Sequence, residues 1–193
     1  NLMNVNDIIK EAGEDPLVKE GLRELHDYDI LTYNHSVDVC KSAVSLGLSY
    51  YYSTNKLILL ARAALLHDIG KMKIPLSILY SSHALSEQDW AIMKLHPVYS
   101  ATWVLEHLGD QRIASIVIAH HEKLNGSGYP LGLAGSQISL DARILAIADI
   151  YQALKSKRTY KQKIWSDDEI LQEFKKMDGI DIHIVEEYYK LLT

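Results

Sequence analysis

At 193 residues, with 48% apolar and 23% charged side chains, the chain is long enough to bury a core of ordinary globular composition. Its net charge of −5, with histidine neutral, excludes a generic nucleic-acid binder, which needs a basic footprint, and no DNA partner is expected. A small anionic ligand stays open, because bound divalent cations reverse the sign locally. The single cysteine, Cys40, excludes an internal disulfide framework and fits a reducing compartment, so a cytoplasmic location is expected. The longest apolar run, Leu57 to Leu66, is interrupted by Arg62 and too short to cross a membrane, so no membrane insertion is expected. No basic region followed by an apolar run opens the chain, and no secretory leader is expected.

Taken in order, the pattern is helical almost throughout, with no alternating run long enough for a strand. A short helix is expected from Asn6 to Glu11, ended by Gly13. Asp15 and Pro16 open a second, running to about Tyr28. A third covers Ile30 to Leu46 and ends near Gly47. Ser53 or Thr54 caps a fourth, Leu57 to His67. Gly70 to Ser82 reads as a loop. Ser86-Glu87-Gln88-Asp89 resembles a capping box opening a helix toward His96, where Pro97 breaks or restarts it. Val98 to His107 is the next helix, closed by Gly109, and Asp110 to His121 follows. The glycines between Asn125 and Gly135 mark a loop. Ser139 caps a long helix, Asp141 to Leu154, Ser166 caps another, and Asp181 to Leu192 is the last.

Four of the nine histidines, His26, His83, His107 and His183, have no carboxylate neighbours in a motif and read as ordinary polar side chains. Five others fall near helix ends or inside helices: His35, His67, His96, His120 and His121. Asp68 and Asp149 add carboxylates. Imidazole mixed with carboxylate suits iron, manganese, zinc or nickel better than calcium or copper(I). The set is about large enough for two ions sharing one aspartate. Neighbours on a helix point about 100° apart, so His67 and Asp68, or His120 and His121, can reach adjacent ions. Any one of these histidines alone would be a polar side chain satisfied by backbone. The set, in this order and spacing, is what points to metal.

Five blocks resemble the HD-GYP family, a branch of the HD phosphohydrolase superfamily. They are Asn34-His35-Ser36, the HDIGK signature at 67–71, Leu95-His96-Pro97, HHEKLNGSGYP at 120–130, and Arg143 to Asp149 with Arg158 to Lys161 behind it. The resemblance spans about Asn34 to Lys161. It implies an all-helical bundle of the HD type with a buried dinuclear metal site. One ion would take His35, His67, Asp68 and Asp149, and the other Asp68, His96, His120 and His121. The expected ions are iron or manganese, with zinc, nickel or cobalt as substitutes. The implied activity is hydrolysis of cyclic di-GMP to linear pGpG or GMP by a hydroxide held between two ions about 3.5–4 Å apart. Asp68 and Lys71 would be the catalytic side chains, Lys71 as a point charge on the developing phosphorane. Gly126 and Gly128 would let backbone approach the ligand, and Tyr129 would shape the pocket or stack on a guanine. Arg158 and Lys161, three residues apart, would face one phosphate.

Some members of that family hold a third metal through a Glu four residues before the first ligand and an Asp three after the last. Leu31 and Gln152 stand at those positions, so two ions are expected. Asn125 replaces the usual Asp of the GYP block, and Ser100 stands where glycine is common. The competing readings are a catalytically weak module acting as a cyclic-dinucleotide receptor or protein-interaction domain, and a phosphohydrolase for another nucleotide. The family often follows a sensor, receiver or GGDEF-type domain. Residues 1–28 are too short to be one and read as an N-terminal helical segment or linker before an HD-GYP domain at 29–193.

Overall fold

Most of the helices begin at a side chain that satisfies an N–H left without an intrahelical partner. The computed structural model describes residues 3–156 and 164–193. Asn4 caps α1 (Val5–Gly13), where Asp7 closes a capping box. Asp15 caps α2 (Pro16–Tyr28), Asp29 caps α3 (Ile30–Ser49) and Ser53 caps α4 (Thr54–Leu66). After the short α5 (Leu76–Leu79), Ser86 caps α6 (Glu87–Met93), and α7 (His96–Leu108) carries Pro97 in its first turn, where a missing N–H costs nothing. Asp110, Ser139, Ser166 and Asp181 cap α8 (Gln111–Ile118), α9 (Leu140–Lys155), α10 (Asp167–Phe174) and α11 (Ile182–Leu192).

Several boundaries differ from the expectation. The first helix extends through Gly13 and is stopped by the Asp15-Pro16 cap of the next one. Gly47 lies inside α3, buried, so packing outweighs its poor helix propensity. The stretch read as a loop after Gly70 holds a 3-10 turn, Ile69–Lys73, and α5. The greatest consequence is at α8, which ends at Ile118 and leaves His120 and His121 in the turn beyond it.

The helices form one layered bundle. α3 packs on α4 and α9, α1 lies across α3 and α4, and α7 packs on α8 and the 3-10 turn. Leu46, Leu60, Leu66, Ile69, Ile144 and Leu145 are fully buried between them. Each side chain of this kind contributes about 1.5–3 kcal/mol by leaving water. Ile8, Ala12 and Val18 belong to the same core, so α1 and α2 are packed onto the bundle. Among the described residues there is no strand, only an isolated bridge between Asn125 and Ala134. The all-α expectation therefore holds. Among the described residues no helix is long and apolar enough to cross a membrane.

Candidate metal centre

Three helices end at one place, and each is followed by a histidine. The last carbonyls of a helix have no intrahelical donor. Here three of them accept a hydrogen bond from an imidazole three positions on. His67 Nδ1 donates to Ala64 O at 2.6 Å, His96 Nδ1 to Met93 O at 2.7 Å, and His120 Nδ1 to Val117 O at 2.5 Å. Each bond fixes a proton on Nδ1 and turns Nε2 inward.

The remaining groups come from neighbouring elements. His35 is presented by α3 and Asp149 by α9, and His35 Nε2 approaches Asp149 Oδ1 to 2.7 Å. Asp68, just past α4, lies between two sets of imidazoles. Its Oδ2 is 3.4 Å from His67 Nε2 and 4.0 Å from His35 Nε2. Its Oδ1 is 3.2 Å from His96 Nε2 and 3.8 Å from His120 Nε2. His121 Nε2 is 3.1 Å from His96 Nε2 and 4.0 Å from Asp149 Oδ2. Donor atoms of His35, His67 and Asp149 lie within 4.8 Å of one another, and so do those of His96, His120 and His121. The geometry thus divides into two triads with one oxygen of Asp68 facing each.

The donor set fits a cation. His96 Nε2 and His120 Nε2 lie 3.4 Å apart with both ring protons committed to the opposite nitrogens, so two lone pairs face each other. His67 Nε2 and Asp68 Oδ1 are buried with no hydrogen-bond partner. Unsatisfied buried polar atoms are costly, and a divalent ion relieves both conditions at once. The charges agree. Burial opposes ionisation of Asp68 and Asp149, but His67 with Lys71 for the first, and His35 with His67 for the second, hold both well below the usual carboxylate range. Burial would lower His67, yet the charge of Asp68 and the proximity of Asp149 raise it to about 10. His120 and His121 go the other way, pressed down by burial, with further lowering from neighbouring imidazoles, His121 to about 4. Two carboxylates are therefore charged, and without an ion the positive charge they demand falls on His67.

The structure brings all seven expected ligands together: His35, His67, Asp68, His96, His120, His121 and Asp149. Among the described residues, the imidazoles of the cluster differ in exposure. The side chains of His35 and His121 are 18% and 26% exposed, while those of His67, His96 and His120 are 3% or less. Lys71 lies at the cluster, with Nζ donating to Asp68 Oδ2 at 2.8 Å. Tyr129 stacks on His121, ring centroids 4.9 Å apart and planes 19° from parallel, and its N–H donates to His121 O at 3.2 Å. Burial raises the Tyr129 phenol above its ordinary value, so it stays protonated. Gly126 takes a left-handed turn with φ 78°. The close approach that Gly128 permits is to the chain's own backbone: a Cβ there would lie 2.5 Å from Glu122 Cα and His121 O. Arg158 and Lys161 lie outside the described residues.

The roles of two side chains escaped the sequence reading. Glu122 is buried, and its carboxylate accepts from Leu131 N at 2.6 Å and Leu133 N at 2.9 Å, mooring the glycine-rich loop. A carboxylate directly before a loop rich in unpaired N–H groups was the available signal. Ser100 is fully buried and accepts from Gly70 N at 2.8 Å, which ties α7 to the turn carrying Lys71.

Residues 22–184 match the HD domain family. The chain belongs to that family. Among curated proteins it is similar to the cyclic di-GMP phosphodiesterase PA4108 of Pseudomonas aeruginosa, 34% identical over 176 residues, which cover 91% of this chain and 42% of that protein. It is also similar to the 3'3'-cGAMP-specific phosphodiesterase 2 of Vibrio cholerae, 40% identical over 125 residues, which cover 63% of this chain and 23% of that one. The chain thus spans less than half the length of these relatives. In fold it resembles Bd1817, an HDG"Y"P protein from Bdellovibrio bacteriovorus, with TM-score 0.71 and 22% identity over 97% of this chain and 62% of that one. The HD-domain resemblance read from the five sequence blocks agrees with all three.

Proposed function

We propose that this HD domain is the hydrolytic unit of a metal-dependent cyclic-dinucleotide phosphodiesterase. The reading is carried by one observation: three helix-end carbonyls aim three imidazoles at a two-sided aspartate, leaving inward atoms without a partner. Similarity to relatives named for cyclic di-GMP and cGAMP hydrolysis supports it. His35, His67, Asp68 and Asp149 would hold one divalent ion, and Asp68, His96, His120 and His121 a second. Such ions supply Lewis-acid activation of water and of a phosphodiester oxygen. Iron or manganese suits the mixed nitrogen and oxygen donors.

The chain's own residues do the rest. The Nδ1–H bonds hold the imidazoles in one tautomer, so no reorganisation is needed as charge develops. Lys71 places a fixed positive charge beside Asp68 at the edge of the cluster, where a phosphoryl group arrives. Tyr129 walls the open side next to His121. Arg158 and Lys161 are proposed to hold a phosphate. A third ion finds no support: Leu31 carries no donor, and Gln152 Nε2 is turned to Ser42 Oγ at 2.8 Å.

Cyclic di-GMP is the proposed substrate, cut to pGpG or on to GMP. A second reading, 3'3'-cGAMP, is favoured by the name of the Vibrio cholerae relative. The test is elemental analysis of anaerobically purified chain, coupled to chromatography of products from both dinucleotides. Two ions per chain and cleavage abolished by Asp68→Ala are expected. No cleavage of either dinucleotide with iron, manganese or zinc would overturn the reading.

A further inference from the structure

A row of side chains leads outward from the open edge of the cluster. It begins at His121, the most exposed of the five imidazoles, and continues through the stacked ring of Tyr129. Lys94, the residue that ends α6, places its Nζ 5.6 Å from the Tyr129 ring centroid. The same Nζ lies 5.7 Å from the ring of Trp90, one helical turn earlier and 44% exposed. The order is ring, ring, cation, ring.

Lys94 is unusual in its surroundings. Among the described residues no carboxylate pairs with its ammonium, and two aromatic faces are its only recorded contacts. An ammonium within about 6 Å of a ring centroid is held by the ring quadrupole. That contact restrains the long side chain without occupying its three N–H donors. Trp90 is 44% exposed, and the ring contact recorded for it is with Lys94. A held cation with free donors beside an open aromatic face is suited to an anion attached to a flat base.

A cyclic dinucleotide has two phosphodiesters, and only one can be at the cluster at a time. The other, with its purine, must lie outside. We infer that Lys94 and Trp90 form an outer subsite, Lys94 taking the uncleaved phosphodiester and Trp90 stacking on the adjoining purine. Tyr129 joins this subsite to the cluster. The inference rests on the phosphodiesterase reading, and it adds residues that distinguish a cyclic dinucleotide from a simple diester.

The experiment compares metal-loaded wild-type chain with Lys94→Gln, Lys94→Arg and Trp90→Leu. Calorimetry gives Kd for cyclic di-GMP, and initial rates give KM and kcat for cyclic di-GMP and for bis(p-nitrophenyl) phosphate, which lacks both second phosphate and base. Loss of one charge-assisted contact should raise Kd and KM for cyclic di-GMP about tenfold in Lys94→Gln, with kcat moved less and Lys94→Arg recovering most of the loss. The penalty on the small diester should be at least about fivefold smaller. Wild-type tryptophan fluorescence should respond to cyclic di-GMP, and Trp90→Phe should remove that response. If Lys94→Gln and Trp90→Leu bind cyclic di-GMP as tightly as wild type, the subsite is overturned and the phosphodiesterase reading stands. If wild type cleaves the small diester but neither binds nor cleaves a cyclic dinucleotide, the substrate reading falls and the subsite falls with it.

Discussion

His35 and Asp149 stand 114 positions apart and meet at 2.7 Å, Nε2 to Oδ1. The contact joins α3 to α9 at the mouth of the cluster, and it places Asp149 between His35, His67 and His121. Asp68 instead faces both triads. The two carboxylates should therefore fail differently when removed. Asp149→Ala is expected to lose about one ion per chain, because only the half holding His35 and His67 is opened. Asp68→Ala should lose both. Elemental analysis of the two purified variants checks this, and equal losses would mean that the cluster does not divide as drawn.

Lys71 reaches Asp68 at 2.8 Å, which sets its ammonium against the cluster. If its charge acts on the phosphoryl group, Lys71→Met should keep the metals and lose rate. An electrostatic donor of this type contributes on the order of 10²-fold in kcat. Metal content near wild type, KM within about threefold, and kcat down about a hundredfold are expected. A fall in metal content of the same size would assign Lys71 to holding Asp68 instead.

The seven side chains that converge were readable in the chain because histidine and aspartate are chemically distinct and their blocks fall in a fixed order. What could not be read was how the side chains are aimed. His120 and His121 were expected on a helical face, yet α8 stops at Ile118 and both project from a turn. The aim comes from a rule that depends on where helices end: a carbonyl of the last turn takes the Nδ1 proton of the histidine three residues later, at α4, α6 and α8 alike. Helix ends are set by competing caps and by packing, so spacing alone places them within a residue or two. Glycine was ambiguous for the same reason. Gly13 and Gly47 were taken as stops and both belong to helices: Gly13 is the last residue of α1, ahead of the Asp15-Pro16 cap, and Gly47 is held inside α3 by burial.

Gly70 is a case where the missing side chain is required. A Cβ there would overlap His96 O and Ser100 N and lie 2.7 Å from Tyr99 Cβ. Two of these are backbone atoms of α7, which cannot turn aside. Gly70→Ala should destabilise by about 3 kcal/mol, the upper end for overpacking a core. At about 2–4 °C per kcal/mol for a chain of this size, Tm should fall by roughly 6–12 °C. Calorimetric melting checks it, and an unchanged Tm would show that α7 can move away from the turn.

Asp29 links three elements. Its carboxylate caps α3 at Leu31 N, 3.1 Å, accepts from Thr32 Oγ1 at 2.6 Å, and accepts from Tyr80 OH at 2.5 Å. Burial works against its ionisation, but the Thr32 and Tyr80 hydroxyls and the Leu31 N–H outweigh it and hold the pKa below the ordinary carboxylate value. A pKa lower in the folded chain than in the unfolded one means stability that is complete above the unfolded value, about 3.9, and lost as pH falls through the folded value. Asp29→Asn should therefore flatten the stability curve below about pH 4, and Asp29→Ala should cost about 1–2 kcal/mol at neutral pH. Denaturant titrations across pH measure both.

Glu122 tests whether the glycine-rich loop serves the substrate rather than the metals. Its carboxylate holds the N–H groups of Leu131 and Leu133, and the segment between His121 and Pro130 carries Tyr129. Glu122 has no contact with the inward nitrogens of the cluster, so its removal leaves the ligand triads intact. Glu122→Ala strands two N–H donors, each of which costs about 1–3 kcal/mol when left unsatisfied and buried. Both bonds are only part-buried, so water can replace the carboxylate, and the loop that carries Tyr129 loses its mooring. Faster amide exchange at Leu131 and Leu133 and a raised KM for cyclic di-GMP are expected, with metal content near wild type. Glu122→Gln keeps one acceptor oxygen, so it should retain slow exchange at one of the two amides. Loss of metal in Glu122→Ala would instead make the loop part of the scaffold that positions His120 and His121.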